Sequence, residues 1–429
     1  MRVLMFGWEF PPHISGGLGT ACYGLTKGLA GLKNTDVLFV VPKAFGDEDQ
    51  SVIQLIGANK VPVAQKEIFF EEAGKKMDYI EVQSEIVPYV NEEEFWNLKK
   101  QRIASNPRFV KTTEGLNIEF SGTYGPNLME EIKNYALVAE IIAQDSSFDL
   151  IHAHDWLAYP AGIAAKNSSG KPLVIHVHAT DFDRSGGNVN PTVYAIERHG
   201  MEMADKIIAV SNFTRQTVIE KYGIPPEKIT TVYNAVEPVF GGKKKNLKKG
   251  VNEKVVTFLG RITLQKGPEY FVEAAWLVLK KMDNVRFVMA GSGDKMNEMV
   301  NRVAQLGMAG KFHFTGFLDA DDVYQMFRMT DVFVMPSVSE PFGIVPLEAM
   351  QADVPVIISN QSGVSEILNH AIKIDFWDTY AMADSIYGLL KYPALSGFLK
   401  KSGKKEVGGL TWQQSAKHVR NVYASLLNV

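Results

Sequence analysis

Short apolar runs, each followed by a glycine-bearing loop and a stretch with helical spacing, recur from one end of this chain to the other. That rhythm belongs to parallel strands buried on both faces by crossover helices, so the class is α/β before any motif is read. In the first half the runs are Val3–Phe6, Val37–Val41, Leu150–Ala153, Val174–His178 and Ile207–Val210, with a helix over Thr20–Gly31. The rhythm restarts with Val255–Leu259 and a helix over Glu269–Lys281, then Val285–Ala290, Lys311–Phe314, Val332–Met335 and Val354–Ile358. A chain of 429 residues exceeds one ordinary core, and the restart divides it in two.

The expected organisation is a first domain over 1–240, a linker over 241–250 carrying five lysines, and a second domain over 251–410. The lysine run Lys243–Lys249 reads as a solvated linker rather than a polyanion patch. Residues 44–135 are net acidic and irregular, as in an insertion. At the end, 411–429 places Ala416, Val419, Val422, Tyr423 and Leu426 on one stripe, which predicts an amphipathic helix.

The formal charge of −3 leaves no global positive field to hold nucleic acid. No run of about 18 apolar residues predicts a membrane span. The single cysteine, Cys22, can form no internal disulfide, and the chain opens on the strand-like Met1–Phe6. Both features predict a cytoplasmic protein.

Four constellations fall at strand ends, where open α/β sheets bind ligands. Gly16, Gly17 and Gly19 lie between the first strand and its helix, where backbone can approach a phosphate or simply make a tight turn. Their spacing is not that of a dinucleotide fingerprint, which disfavours a dehydrogenase. Gly260-Arg-Ile-Thr-Leu-Gln-Lys-Gly267 puts Arg261 and Lys266 where two cations can converge on a diphosphate. The loop Ala290-Gly-Ser-Gly293 follows the next strand, so Gly291 and Gly293 let a nucleotide lie on backbone.

The third constellation is Ser339-Glu-Pro-Phe-Gly-Ile-Val-Pro-Leu-Glu-Ala-Met350. Its carboxylates Glu340 and Glu348 can accept sugar hydroxyls, and Phe342, Gly343 and Ile344 offer backbone N–H groups beside them. The fourth is His152-Ala-His-Asp-Trp156 with His176-Val-His-Ala-Thr-Asp-Phe-Asp183. With His13 these supply five of the nine histidines, all at strand–loop junctions, and the clustering predicts a cleft. His-x-His can ligate zinc, but no third ligand has matching spacing, so no metal is expected. Asp181-Phe-Asp183 lacks the apolar run of metal-dependent sugar transferases and reads as a loop.

In this order the four blocks resemble the retaining GT-B glycosyltransferases, the group of glycogen and starch synthases and the large group 1 family. The resemblance implies two Rossmann-like domains facing a cleft, the nucleotide-sugar on the second, the acceptor on the first, and the last helix crossing back. Arg261 and Lys266 resemble the family's diphosphate-binding pair. Glu340 and Glu348 resemble its Glu-x7-Glu carboxylates, for donor sugar and ribose respectively. His178 is similar to the active-site histidine and Asp155 to the sugar-binding aspartate, and His154, Asp155 and Trp156 are expected to bind the acceptor. Gly16 and Gly17 match the N-terminal donor loop, although Ile14 stands where the synthases carry lysine. Gln361-Ser-Gly-Val364 replaces their Gly-Gly-Leu segment.

The expected activity is transfer of glucose from UDP- or ADP-glucose to an α-1,4-glucan, with retention and without a metal or other cofactor. Within the enzyme class the alternative is a group 1 enzyme building an envelope polysaccharide, glycolipid or disaccharide. Outside it, the alternative is a silent nucleotide-sugar-binding protein.

Overall fold

The computed structural model describes residues 1–13, 16–51, 53–63, 109–111, 116–237 and 252–427. The expected linker 241–250 with its lysines, Ile14, and much of the acidic insertion lie outside the described residues.

Two parallel sheets form the frame. The first contains β1 (Arg2–Phe6), β2 (Asp36–Val41), β3 (Gln54–Gly57), β7 (Leu150–His154), β8 (Leu173–Val177), β9 (Lys206–Ala209) and β10 (Ile229–Thr231), in the order β10-β9-β8-β7-β1-β2-β3. Next to it, β4 (Pro62–Val63), β5 (Phe109–Lys111) and β6 (Leu116–Ile118) pair as a small antiparallel sheet. The second large sheet contains β11 (Lys254–Leu259), β12 (Val285–Ala290), β13 (Phe312–Gly316), β14 (Val332–Met335), β15 (Val356–Ser359) and β16 (Ile372–Ile374), in the order β13-β12-β11-β14-β15-β16. Each order reverses beside its first strand, and a crevice opens there beyond the strand ends. This is the GT-B arrangement that the resemblance implies.

The expected strands are found, with ends shifted by one or two residues. The edge strands β3, β10 and β16 and the small sheet were not expected. They are two to four residues long, too short for a pattern of burial to show in the sequence.

The last helix, Trp412–Leu427, returns to the first sheet and packs along the helix Gly17–Ala30. Its predicted stripe is the buried one, with Trp412, Ala416, Val419, Val422 and Tyr423 sharing a core with Val3, Met5, Leu25 and Phe39. Close approach depends on two glycines. A Cβ at Gly24 would lie 2.3 Å from the Trp412 indole, and one at Gly28 would lie 2.6 Å from the Trp412 carbonyl oxygen. Trp412→Ala removes the anchor of this contact, a loss of about 3–5 kcal/mol for a buried tryptophan.

Candidate active site

The carboxyl ends of both sheets face a cleft of about 1320 Å³. Its second-domain wall is built on backbone contact between two loops. Gly291 has φ of 129°, and a Cβ there would lie 1.9 Å from the Gly260 carbonyl oxygen; one at Gly293 would lie 2.3 Å from that of Ile262. The loops after β11 and β12 therefore touch with no side chain between them, and Arg261 and Lys266 project from this platform into the cleft lining. Arg261 Nη2 donates to Gln265 Oε1 at 3.1 Å. Lys266 Nζ donates to Glu340 Oε2 at 2.5 Å, and Ser337 Oγ donates to the same oxygen at 3.1 Å.

Glu340 lies in the turn after β14, and Phe342, Gly343 and Ile344 follow it along the cleft. Gly343 has φ of 101°, a left-handed conformation that favours glycine. Glu348, expected beside them, does not line the cleft. It lies one turn into the helix Val345–Gln351, where its backbone N–H donates to Ile344, and burial pushes its carboxyl up to about 7.

On the first-domain wall the cleft is lined by Gly16, Gly17, Asp155, His178, Asp181 and Arg184. Asp155 is 2% exposed with φ of 63°, and its Oδ1 accepts from its neighbour Trp156 N–H at 3.0 Å. Burial raises its carboxyl above the usual range, opposed by Arg184, whose Nη1 is 3.8 Å from Oδ2. Arg184 also pairs with Asp181 at 3.6 Å and with the buried Glu197. Glu197 is pushed up to about 7 by burial in spite of that arginine.

His154 and Trp156 were expected to touch the acceptor, but both have 0% exposure and neither lines the cleft. His154 packs against Phe39 and the other histidines, and Trp156 is part of the first-domain core, so neither side chain faces the cleft. The histidine cluster needs the same correction. Parallel register sets His154 of β7 opposite His176 of β8, and the two-residue strand period puts His152 on the same face as His154. The result is a buried stack, with ring centroids of His152 and His154 4.2 Å apart and those of His176 and His178 4.3 Å apart. Only His178 reaches the cleft, with its Nε2 2.9 Å from His154 Nδ1. His152 Nδ1 lies 2.5 Å from the hydroxyl of Tyr423 on the last helix. Burial holds His152 and His178 down at about 3, so both imidazoles are neutral at neutral pH. His13 is elsewhere, bonded to Asp47 at 2.8 Å and outside the cleft lining.

The fold supplies the third ligand atom that spacing lacked. Cys22, His154 and His178, and also His152, His154 and His176, bring one potential ligand atom each within 4.8 Å of the others. Asp181-Phe-Asp183 is not a loop. It forms the helix Asp181–Ser185, because Asp183 accepts from the Thr180 N–H and hydroxyl at 2.7 and 2.8 Å, a capping box.

Two features of the site were missed in the sequence. Phe317, just beyond β13, lines the cleft with 69% of its surface exposed. Its signal was the same as for the other blocks, a strand end followed by glycine, here Gly316. The second is the set of hydrogen bonds between the two domains beside the cleft, including Ser339 Oγ to Asp183 Oδ1 at 2.5 Å. A separation of 156 residues gives that pair no sequence signal.

The family model described as glycosyl transferases group 1 matches residues 241–405, and that of glycosyltransferase family 4 matches 113–240. An uncharacterized glycosyltransferase of Methanocaldococcus jannaschii is 29% identical, covering 99% of this chain and 98% of its own. The glycogen synthase of Mycobacterium tuberculosis is 24% identical, covering 99% of this chain and 94% of its own. Among solved structures, the sucrose-phosphate synthase of Thermosynechococcus elongatus superposes with a TM-score of 0.71 at 17% identity, covering 100% of this chain and 99% of that one. No helix among the described residues is long and apolar enough to cross a membrane. With two family matches that follow one another from 113 to 405 and a relative alike from end to end, the chain belongs to the group 1 glycosyltransferases, with the GT-B fold.

Proposed function

We propose that the protein transfers glucose from a nucleoside diphosphate glucose to the 4-hydroxyl of an α-1,4-glucan, with retention of configuration. The observation that carries the acceptor half is the charge of the first-domain wall. Glu9, Asp155, Asp181, Asn188, Asn190 and Asn234 line it, and the cation Arg184 is already held by three carboxylates. Such a wall accepts hydrogen bonds from a neutral polyhydroxyl acceptor and repels a phosphorylated one.

On the opposite wall, Arg261 and Lys266 would receive the diphosphate. Gly343 and Ile344 add N–H groups that have no protein acceptor among the described residues. Phe317 offers an exposed ring for the nucleobase beside the loop at Gly291. The bond from the anomeric carbon to the diphosphate oxygen breaks, and its electrons leave with the nucleoside diphosphate. The acceptor oxygen bonds to that carbon from the same face and gives its proton to the departing phosphate. Arg261 and Lys266 stabilise the growing negative charge, Glu340 holds donor hydroxyls, and neutral His178 hydrogen-bonds the sugar. No step is assigned to a metal.

The test is a turnover matrix of UDP- and ADP-glucose against glycogen, maltooligosaccharides, glucose and no acceptor. Transfer to maltooligosaccharides supports the reading. Donor hydrolysis without transfer to any glucan would replace it with a different acceptor, and nucleotide binding without turnover would make the protein a binding module.

A further inference from the structure

We infer that the first domain positions Glu340 by holding the turn Ser339-Glu-Pro341 from both sides, which makes Asp183 and Ser211 positioning residues for the donor-sugar carboxylate. The inference rests on the reading that Glu340 engages the donor sugar. Ser339 Oγ donates to Asp183 Oδ1 at 2.5 Å on one side of Glu340. On the other, the Pro341 carbonyl oxygen accepts from Ser211 Oγ at 2.5 Å and from Thr214 Oγ1 at 3.3 Å. The chain neighbours of Glu340 are thus both bonded to the opposite domain, while its own carboxylate is bonded within its domain to Lys266 and Ser337.

The anchors are themselves fixed. Asp183 is 3% exposed, and its second oxygen takes both Thr180 donors; Ser211 and Thr214 are 0% and 1% exposed, and Ser211 Oγ accepts from Thr214 N–H at 2.9 Å. Gly363 gives the turn its room, since a Cβ there would lie 2.2 Å from the Pro341 oxygen and 2.4 Å from Ser211 Cβ. A third bridge falls on the same helix start. The Glu366 carboxylate accepts from the N–H groups of Asn212 and Phe213 at 3.0 and 2.7 Å and from the Tyr233 hydroxyl at 2.8 Å. A carboxylate at a helix N-terminus is held by the unpaired N–H groups there.

The bonds that Asp183, Ser211, Thr214, Asn212, Phe213 and Tyr233 make to Ser339, Pro341 and Glu366 join the two domains, so they exist only while the domains are together. Closure then does more than exclude water. It seats Glu340, and through Thr180, two residues from His178, it ties that seating to the acceptor wall. A donor bound to separated domains lacks the aligned carboxylate, which restrains hydrolysis before an acceptor arrives.

Ser339→Ala tests this while leaving the Thr180–Asp183 capping box intact. With whichever of UDP-glucose and ADP-glucose is turned over, kcat is expected to fall about tenfold, as for one lost hydrogen bond to a charged group. Donor hydrolysis without acceptor should fall alongside transfer, because both need the seated carboxylate. Calorimetric affinity for UDP and ADP should stay within about twofold, and Ser339→Thr should restore kcat. Wild-type kcat in Ser339→Ala, or an equal loss of nucleotide affinity, overturns the positioning role. Glu340→Gln, assayed alongside, separates the two readings. An inactive Glu340→Gln beside a wild-type Ser339→Ala overturns the positioning role alone, whereas full turnover in Glu340→Gln overturns the donor-sugar reading and the positioning role with it.

Discussion

Lys266 and Glu340 form an ion pair at 2.5 Å in the lining of the cleft, with side chains 20% and 10% exposed. Each is therefore the other's partner, and under the proposed function a donor would be received by a pair rather than by two separate groups. Lys266→Ala leaves a partly buried carboxylate without its cation, and Glu340→Gln leaves the cation without its charge.

Arg261→Ala and Lys266→Ala are each expected to lower kcat by about 10²-fold, as for other lost transition-state donors. The Lys266→Ala/Glu340→Gln double variant should lose less than the sum of the single effects, with a coupling of about 0.5–3 kcal/mol. Strict additivity in the kinetic cycle would mean that the pair does not act together on the donor.

Donor and acceptor use should separate along the cleft. Phe317→Ala is expected to weaken UDP or ADP binding about tenfold, because an exposed ring contributes by stacking and little else in the fold rests on it. Asp155→Asn should leave nucleotide affinity near normal while reducing transfer to maltooligosaccharides, since a carboxylate hydrogen bond to a hydroxyl is worth about 1.5–3 kcal/mol. Calorimetry with the nucleotide and transfer assays on the same variants decide it. The reverse pattern would exchange the two walls.

Turnover is expected to persist in excess chelator. The oxygens of Asp181 and Asp183 are engaged by Arg184, Asn190, Thr180 and Ser339, which leaves the sequence Asp-x-Asp little capacity for an ion. Complete loss restored by a divalent metal would instead place an ion at these carboxylates or in the histidine stack.

Acid should destabilise the protein earlier than carboxylate titration alone would. His152 and His178 are held at about 3, and burial also lowers His154 and His176. The unfolded chain takes up these protons near pH 6.5 and the folded one does not. Stability is therefore complete above about 6.5 and falls toward 3, by up to about 1.4 kcal/mol per pH unit for each histidine. Urea midpoints at pH 8, 6 and 5 should show the fall, and His176→Leu should flatten it. Glu348 has the opposite sign. Its folded-state value of about 7 lies above the usual 4.5, so its contribution is complete below 4.5 and is lost as pH rises through 7. Glu348→Gln should accordingly raise the melting temperature at pH 8 and leave it unchanged at pH 4.5.

The long buried strands were legible because runs such as Val3–Phe6 and Val332–Met335 are apolar throughout. Arg261, Lys266, Glu340 and His178 were placed in a cleft by the rule of strand ends, and all four line it. What the sequence concealed was register and depth. His152-Ala-His154 and His176-Val-His178 look alike in the sequence, and only the pairing of His154 with His176 makes them one buried stack. Trp156 follows Asp155 directly, yet the left-handed Asp155 turns the chain so that one lines the cleft and the other enters the core.

The packing of Trp412 against Gly24 and Gly28 has a consequence for biogenesis. A ribosome makes Val3, Met5 and Leu25 long before Trp412, Val419 and Tyr423, and the face they share stays uncovered until residues 412–427 leave the exit tunnel. The first sheet is therefore completed only after the second domain has been made, and a nascent chain halted before 412 would expose that apolar face to chaperones.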